Sequence, residues 1–356
     1  MSDTRDMSGQ TAQIGWGSQS GRSGQSGRSG EGDIAGGPGR GPSRRGVVRA
    51  AVAGAGAVAV AGAGTATAHA DGRRRGAPTF VLVHGSGSNA SGWNALSAEL
   101  GLRGHRVVAV DLPGHGAGAF FPASYQAQDL ERLRTEPSPV SKVTLADCAA
   151  YVTDVVRRAH RHGPVVLVGQ SLGGATVTAV ANQVPELLAH LVYVCAFCPT
   201  QHPSVLGLMM TPEASGSALF RLPSVRTPPE LGVGRVNWRS ADPAFLAAAK
   251  DALAADRTDT ELLALLNTLE PDESLAVSTA ESAGLAGAWG RVPRTFLRFT
   301  EDRAIPPALQ DLMIREADET TPRNRFRVRS FAAPHVGPRD PGVLADALDE
   351  VARLCR

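Results

Sequence analysis

One serine lies in a pattern that could make it a nucleophile. Ser171 is the centre of the motif GQSLG at residues 169–173, which follows an apolar run at residues 165–168 and precedes a helix-forming stretch. A Gly-x-Ser-x-Gly motif between a buried strand and a helix is typical of a strained turn that exposes the serine hydroxyl. The backbone N–H of Leu172 would then point toward an oxyanion formed when Ser171 attacks a carbonyl group.

A serine hydroxyl needs a base to remove its proton and an acid to orient that base. When a strand–turn–helix presents the serine, the acid and then the histidine follow it along the chain. His335 comes after the last predicted strand and is the only histidine beyond the candidate acids. Glu301 and Asp302 both follow a predicted strand. Asp302 is preferred, because it lies one step further into the turn and has the shorter side chain.

The oxyanion would need a second backbone donor, and the loop after the first predicted strand, His84-Gly85-Ser86-Gly87, is suited to supply it. The Ser86 N–H is the preferred donor and the Gly87 N–H is the alternative. His84 and Gly85 are interpreted as residues that order this loop.

Strand and helix patterns alternate from residue 79 onward. Strands are predicted at residues 79–83, 106–110, 165–168, 191–194, 294–299 and 326–331, and helices at residues 91–102, 144–160, 173–184, 306–316 and 341–354. This alternation predicts an α/β fold with a doubly wound, mostly parallel sheet and helices on both faces. Residues from about 198 to 290 contain helical patches at 243–255 and 260–269 without strand alternation. They are interpreted as an inserted, mainly helical cap. His190 and His202, which flank the strand predicted at 191–194, are expected to have surface or loop roles.

The first 70 residues have a different composition. Residues 1–42 are rich in Gly, Ser, Gln and Arg, which predicts a disordered low-complexity segment. Arg44-Arg45, the Ala/Gly/Val run that follows, and Ala68-His69-Ala70 resemble a twin-arginine export signal over residues 43–70. This predicts export of a domain formed by residues 71–356. The alternative is a low-complexity tail that contains an arginine pair, and the protein would then be cytoplasmic.

Charge and composition disfavour several classes of partner. The chain has a formal net charge of +2, and a chain that begins at Asp71 would carry 29 basic and 30 acidic residues. A near-neutral domain without a basic stripe gives no electrostatic reason to expect nucleic acid or an anionic membrane. The apolar run before residue 70 is too rich in Ala and Gly for a stable membrane span. No metal-ligand set or dinucleotide fingerprint is found, so no cofactor and no metal are predicted.

Four cysteines, Cys148, Cys195, Cys198 and Cys355, allow two disulfides in an exported protein. Cys195 and Cys198 form a C-x-x-C pair at the end of an apolar strand. No second pair and no nearby histidines complete a zinc site. Small buried thiols are therefore the preferred interpretation, and the pairing remains open.

Residues 79–116, 164–174, 292–306 and 331–348 together resemble the α/β-hydrolase superfamily. Within it they are most similar to the small esterases that group with plant methylesterases and hydroxynitrile lyases. The resemblance implies Ser171 as nucleophile, His335 as base and Asp302 as acid, with oxyanion donors from the backbone of Ser86 and Leu172.

Two positions separate the esterases from the lyases of that group. The lyases carry threonine where this chain has Gly85, and lysine where it has Val336. The resemblance therefore implies hydrolysis of a small-molecule carboxylic ester through an acyl-enzyme. The same triad serves lactonases, amidases and carbon–carbon hydrolases, and some hydrolase folds are ligand-binding scaffolds without activity. The presence of all three triad residues favours an enzyme.

Overall fold

In the computed structural model, which describes residues 77–355, strands and helices alternate along the chain. The strands are β1 Thr79–Val83, β2 Arg106–Val110, β3 Val165–Gln170, β4 Leu188–Val194, β5 Val233–Arg235, β6 Asp272–Ser274, β7 Arg294–Phe299 and β8 Arg327–Phe331. The α-helices are α1 Asn94–Leu102, α2 Ala123–Ala127, α3 Leu130–Leu133, α4 Leu145–His160, α5 Gly173–Gln183, α6 Val205–Met209, α7 Pro243–Leu253, α8 Asp259–Leu266, α9 Leu275–Thr279, α10 Pro307–Thr320 and α11 Pro341–Leu354. The predicted low-complexity segment and export signal lie outside the described residues.

Six strands form one parallel sheet in the order β2-β1-β3-β4-β7-β8. This confirms the predicted α/β fold class. Because all six strands run in the same direction, their carboxyl ends meet at one edge of the sheet. The chain segments that follow β1, β3, β7 and β8 carry the residues that the sequence analysis selected, so the topology brings them to the same edge.

Helices cover both faces of this sheet. In β1, Val81 and Val83 belong to the apolar core on the face covered by α4, α5 and α10, whereas Phe80 and Leu82 belong to the core on the opposite face, covered by α1 and α11. Successive side chains of a strand point to opposite faces, so a strand buried on both sides is an unbroken apolar run. No helix within residues 77–355 is long and apolar enough to cross a bilayer.

Helix α4 shows how local sequence signals produce one of these layers. Thr144 accepts a hydrogen bond from the Asp147 N–H, and the Asp147 side chain accepts one from the Thr144 N–H, so both ends of a capping box are formed. The apolar stripe predicted for this helix is buried against the sheet: Leu145, Cys148, Val152 and Val155.

The connection from β4 to β7, residues 195–293, contains α6 to α9 and is called the cap below. It has its own apolar cluster, in which Leu222, Phe245 and Leu262 are buried. The cap also contains an antiparallel pair, β5 and β6, that the sequence did not predict. Each of these strands has three residues, which is too short to show a period-2 pattern.

Candidate active site

Ser171 occupies the turn between β3 and α5. Its φ angle is 50°, in the left-handed region where non-glycine residues are strained. Neighbouring backbone holds it there: the Phe197 N–H donates to the Ser171 carbonyl over 3.0 Å, and the Ser171 N–H donates to the Val194 carbonyl over 3.4 Å. The turn therefore presents the hydroxyl at the carboxyl edge of the sheet.

The glycines after Ser171 are required by close approach of other backbone. A Cβ atom at Gly173 would lie 2.4 Å from the His84 carbonyl oxygen, and one at Gly174 would lie 2.0 Å from the Phe197 carbonyl oxygen. Side chains at either position would force the loop after β1, or the start of the cap, away from the serine.

His335 follows β8 and lies beside Ser171. Its Nε2 atom is 3.0 Å from Ser171 Oγ, and the residue is 8% exposed. The Gln170 side-chain amide donates to the His335 carbonyl over 3.2 Å. The Val336 N–H donates to the Leu253 carbonyl, at the end of α7, over 3.0 Å. The histidine loop is thus held both by the serine turn and by the cap.

Asp302 lies on the other side of the imidazole. His335 Nδ1 donates to Asp302 Oδ2 over 2.8 Å, and the N–H groups of Ala304 and Ile305 donate to Oδ1, each over 2.8 Å. Because Nδ1 carries the proton in this arrangement, Nε2 can accept the proton of a serine hydroxyl. Asp302 is 1% exposed, whereas Glu301 is exposed, and the two ring nitrogens of His335 bond Asp302 and Ser171.

Of the two predicted oxyanion donors, Leu172 directly follows Ser171. Gly85, the residue before the other donor Ser86, approaches so closely that a Cβ atom there would lie 2.7 Å from Ser171 Cβ and 3.3 Å from its Oγ. Within residues 77–355, neither the Ser86 N–H nor the Leu172 N–H donates to a protein acceptor. Unpaired N–H groups beside a serine hydroxyl can receive a developing negative charge. The assignment of Ser86 and Leu172 as donors stays a prediction.

Cys195 is a neighbour of the site that the sequence analysis did not include. Its Sγ donates to the His335 carbonyl over 3.5 Å. Burial and the adjacent Asp302 charge raise the pKa of this thiol well above its usual range, so it stays protonated. Cys195 directly follows β4, the strand next to β3, and this adjacency of strand ends is the signal that could have located it.

Cys195, Asp302 and His335 also form the one group of three possible metal ligands among the described residues, with ligand atoms within 4.8 Å of one another. Asp302 and His335 already hydrogen-bond each other, and His335 also hydrogen-bonds Ser171.

All four cysteines are free. Cys195 and Cys198 are buried, as the preferred interpretation expected for this pair; Cys148 is also buried, and Cys355 is half-buried. Cys195 and Cys198 therefore contribute as packed thiols at the end of β4.

His84 orders the loop after β1, as the sequence suggested. The Leu112 N–H donates to its Nε2 over 3.1 Å, so Nδ1 carries the proton and donates to the Gly85 carbonyl over 2.8 Å. Burial and the charge of nearby His115 lower the pKa of His84, which keeps its ring neutral.

The surface or loop role expected for His190 is wrong. His190 is 1% exposed, in β4, and its Nε2 lies 2.9 Å from Thr295 Oγ1 in β7. The predicted strand began at residue 191, whereas β4 begins three residues earlier and takes His190 into the sheet. His202, in a loop, bonds Glu316 Oε1 through Nδ1 over 2.7 Å.

A buried ionisable group beside the site was also missed. His115 Nδ1 lies 2.8 Å from Glu270 Oε2, and His115 Nε2 lies 3.6 Å from Glu273 Oε1. We call these three residues the carboxylate–histidine cluster. Burial alone would lower the pKa of His115, but the hydrogen bond to Glu270 and the electrostatic attraction of both glutamates outweigh burial and raise it to about 10. The same contact with His115 lowers the pKa of Glu273 against the opposing effect of burial. The cluster therefore favours a protonated His115 beside the Glu273 carboxylate.

The fold and this site belong to one class of protein. The model of the alpha/beta hydrolase family matches residues 80–354. The chain belongs to the alpha/beta hydrolase family.

Several relatives extend the comparison. Methylesterase 1 of Arabidopsis thaliana is 29% identical over 255 residues, which cover 66% of this chain and 82% of the relative. An uncharacterized protein of Mycobacterium tuberculosis is 32% identical over 152 residues, 42% of this chain, and the matched region spans 38% of that protein's length. The plant relatives also include an alpha-hydroxynitrile lyase, which is 28% identical over 232 residues. Among solved structures, a pyrethroid hydrolase from Sphingobium faniae has a TM-score of 0.57 at 20% identity, covering 78% of this chain and 97% of that structure.

Proposed function

We propose that this chain is a serine esterase that hydrolyses carboxylic esters of small molecules through an acyl-enzyme intermediate. The observation that carries the proposal is the unbroken hydrogen-bonded series from Ser171 through His335 to Asp302, with separations of 3.0 and 2.8 Å. In this reaction Ser171 is the nucleophile, His335 is the general base and Asp302 orients the imidazole.

Acylation begins when Ser171 Oγ attacks the ester carbonyl carbon and its proton moves to His335 Nε2. The Asp302 carboxylate, which accepts from Nδ1, stabilises the imidazolium that forms. Nε2 then donates this proton to the leaving alkoxide oxygen. The alcohol is released, and the acyl group remains on Ser171 Oγ.

The carbonyl oxygen becomes negatively charged during attack, and the N–H groups of Ser86 and Leu172 are the donors that stabilise it. Their lack of protein acceptors within the described residues supports this role. One such donor contributes about 100-fold or more to the rate. In deacylation, water gives a proton to His335 Nε2 and attacks the acyl carbon. Ser171 Oγ recovers the proton as the acid leaves.

Two positions favour hydrolysis over hydroxynitrile cleavage. A side chain at Gly85 would lie 2.7 Å from Ser171 Cβ, so the threonine of the related lyases has no room here without movement of the loop. Val336 is apolar and packs against the cap cluster, where those lyases have the charge of a lysine.

The relatives favour esters as the substrate class. Methylesterase 1 is named for ester hydrolysis, and the alignment covers 82% of its length. Esters are therefore proposed ahead of lactones, amides and carbon–carbon bonds, which the same three residues could also cleave.

Rapid-mixing kinetics with p-nitrophenyl esters of increasing acyl length tests the proposal. We expect a burst of nitrophenol equal to the enzyme concentration, followed by slower turnover, because acyl-enzyme accumulates. Matched lactones, anilides and mandelonitrile serve as competing substrate classes. Ser171→Ala should remove the burst, whereas Ser215→Ala, at an exposed serine of the cap, should keep it. Faster cleavage of a competing class, or a burst that survives in Ser171→Ala, would refute ester hydrolysis at this serine.

A further inference from the structure

The carboxylate–histidine cluster bonds directly to the oxyanion loop, residues 84–89. The Gly87 N–H donates to Glu273 Oε2 over 3.0 Å, and the Gly87 carbonyl accepts from the Glu270 N–H over 2.8 Å. The Asn89 side-chain amide donates to Glu270 Oε1 over 2.8 Å. Both polar groups of Gly87, the residue after Ser86, are thus held by the cap.

Gly87 is suited to this contact. Its φ angle is 59°, and a Cβ atom there would lie 3.1 Å from the Glu270 carbonyl oxygen. A glycine adopts this conformation without strain and lets the backbone of the cap approach closely. Gly87 therefore allows both the turn after β1 and the close contact between this turn and the cap.

Hydrogen bonds from outside the cluster fix the position of Glu270. Glu270 Oε1 accepts from the Gly116 N–H over 2.8 Å, and the Trp238 Nε1–H donates to the Glu270 carbonyl over 2.9 Å. His115 and Glu270 are each 4% exposed. Hydrogen bonds to an ionised acceptor are stronger than neutral ones, so the bond from Gly87 to Glu273 is a firm anchor for the loop.

A small cavity shows how near this anchor lies to the reacting groups. The cavity has a volume of about 10 Å³, and its lining includes Gly85 and Leu172 of the catalytic site and His115 and Glu273 of the cluster. The cluster therefore lies close to the backbone beside Ser171.

We propose that Glu273 is a positioning residue for the oxyanion hole. Through Gly87 it holds the Ser86 N–H at the site of the developing charge, and His115 holds the Glu273 carboxylate in turn. The oxyanion hole is then complete only when residues 270–273 of the cap are seated against the loop. This inference rests on the proposed esterase function, because the hole acts on the oxyanion that forms in that reaction.

The test compares Glu273→Ala, Glu273→Gln and, as a control at another glutamate of the cap, Glu281→Ala in the full chain. We expect Glu273→Ala to lower kcat for p-nitrophenyl acetate by about 10- to 100-fold with KM within about threefold, because the lost interaction acts in the transition state. Glu273→Gln should recover most of this loss, since its amide oxygen can accept from Gly87. Glu281→Ala removes an exposed carboxylate of the cap and should keep kcat.

Hydrogen exchange supplies a readout that does not depend on turnover. We expect faster amide exchange across residues 84–89 in Glu273→Ala and wild-type exchange there in Glu281→Ala. Unchanged exchange in Glu273→Ala, or kcat within twofold of wild type, would overturn the positioning role. An equal loss of kcat in Glu281→Ala would also overturn it, because the effect would then not depend on the bond to Gly87. Absence of ester turnover in the wild type would instead refute the esterase proposal, and the exchange data would still decide whether Glu273 holds the loop.

Discussion

Asp302 divides its two carboxylate oxygens between His335 and its own turn. Oδ2 accepts from His335 Nδ1 over 2.8 Å, and Oδ1 accepts from the N–H groups of Ala304 and Ile305. Because the turn fixes the carboxylate and the carboxylate fixes the ring, the imidazole has one favoured orientation and one favoured tautomer. Glu301, one residue earlier, is exposed and takes no part.

Asp302→Asn should therefore lower kcat by about 10⁴-fold, because an amide in place of the carboxylate favours the wrong tautomer of the histidine. Glu301→Gln is the matched control and should retain wild-type turnover. Steady-state kinetics on one good ester measures both. A larger loss in Glu301→Gln than in Asp302→Asn would reverse the assignment of the acid.

The close contact between Gly85 and Ser171 leads to a second prediction. Gly85→Ala places a Cβ atom 2.7 Å from Ser171 Cβ, so the serine or the oxyanion loop must shift. Small misplacements of reacting groups cost about 100-fold in rate, and we expect kcat to fall by that order. Gly101→Ala is the control, because a Cβ atom at Gly101 meets nothing within 4 Å. Wild-type kcat in Gly85→Ala would show that the loop adjusts freely.

The sequence predicted the elements that local patterns encode. The apolar run of β3 and the glycines beside Ser171 selected the serine, and the C-terminal position of His335 selected the histidine. The place of Asp302 in the turn after a predicted strand selected the acid, and the structure brings the three together. These signals lie at the ends of strands, where a parallel sheet gathers them at one edge.

The same reasoning could not predict contacts between residues that are far apart in the sequence. His115 and Glu270 are 155 residues apart in the chain, and neither lies in a pattern that indicates the other. The two strands of the cap are too short for a periodic signal. His190 was assigned a surface or loop role because it lies just outside a predicted apolar run. It is nevertheless buried in the sheet, where its hydrogen bond with Thr295 gives the polar ring a partner.

The cap contains a buried ion pair whose loss should destabilise it. Arg235 Nε and Nη2 donate to the two carboxylate oxygens of Asp272, over 2.5 and 2.7 Å. The two side chains are 0% and 1% exposed. Asp272→Asn leaves a buried guanidinium without its counter-charge, which costs about 3–5 kcal/mol. Urea unfolding followed by circular dichroism should show this loss. Asp154→Asn, in an exposed pair with Arg157, should change stability by less than about 1 kcal/mol. Equal effects would contradict the buried-pair argument.

His190 should contribute to loss of stability in acid. Burial, and to a smaller extent the charge of Arg327, lowers its pKa from 6.5 to about 4. Between these values the unfolded chain binds a proton that the folded protein excludes, so stability falls as the pH falls from about 6.5 to about 4.

His190→Gln removes this proton uptake. Between pH 7.5 and 4.5 the free energy of unfolding should fall in both proteins. The fall should be smaller in the variant than in the wild type, and the difference between the two should be about 2–3 kcal/mol. His162→Gln, at an exposed histidine, serves as the control and should behave as the wild type does. If His190→Gln kept the full acid dependence, His190 would have to be protonated in the folded state.

The most direct test of the central claim is the intact mass of the protein after exposure to a fluorophosphonate, with Ser171→Ala in parallel. An activated serine attacks the phosphorus and displaces fluoride, and the adduct persists. We expect one adduct on the wild type, located at Ser171 by peptide mapping, and none on Ser171→Ala. A folded wild-type protein that gains no mass, or a Ser171→Ala variant that gains the same mass, would contradict an activated serine at this site.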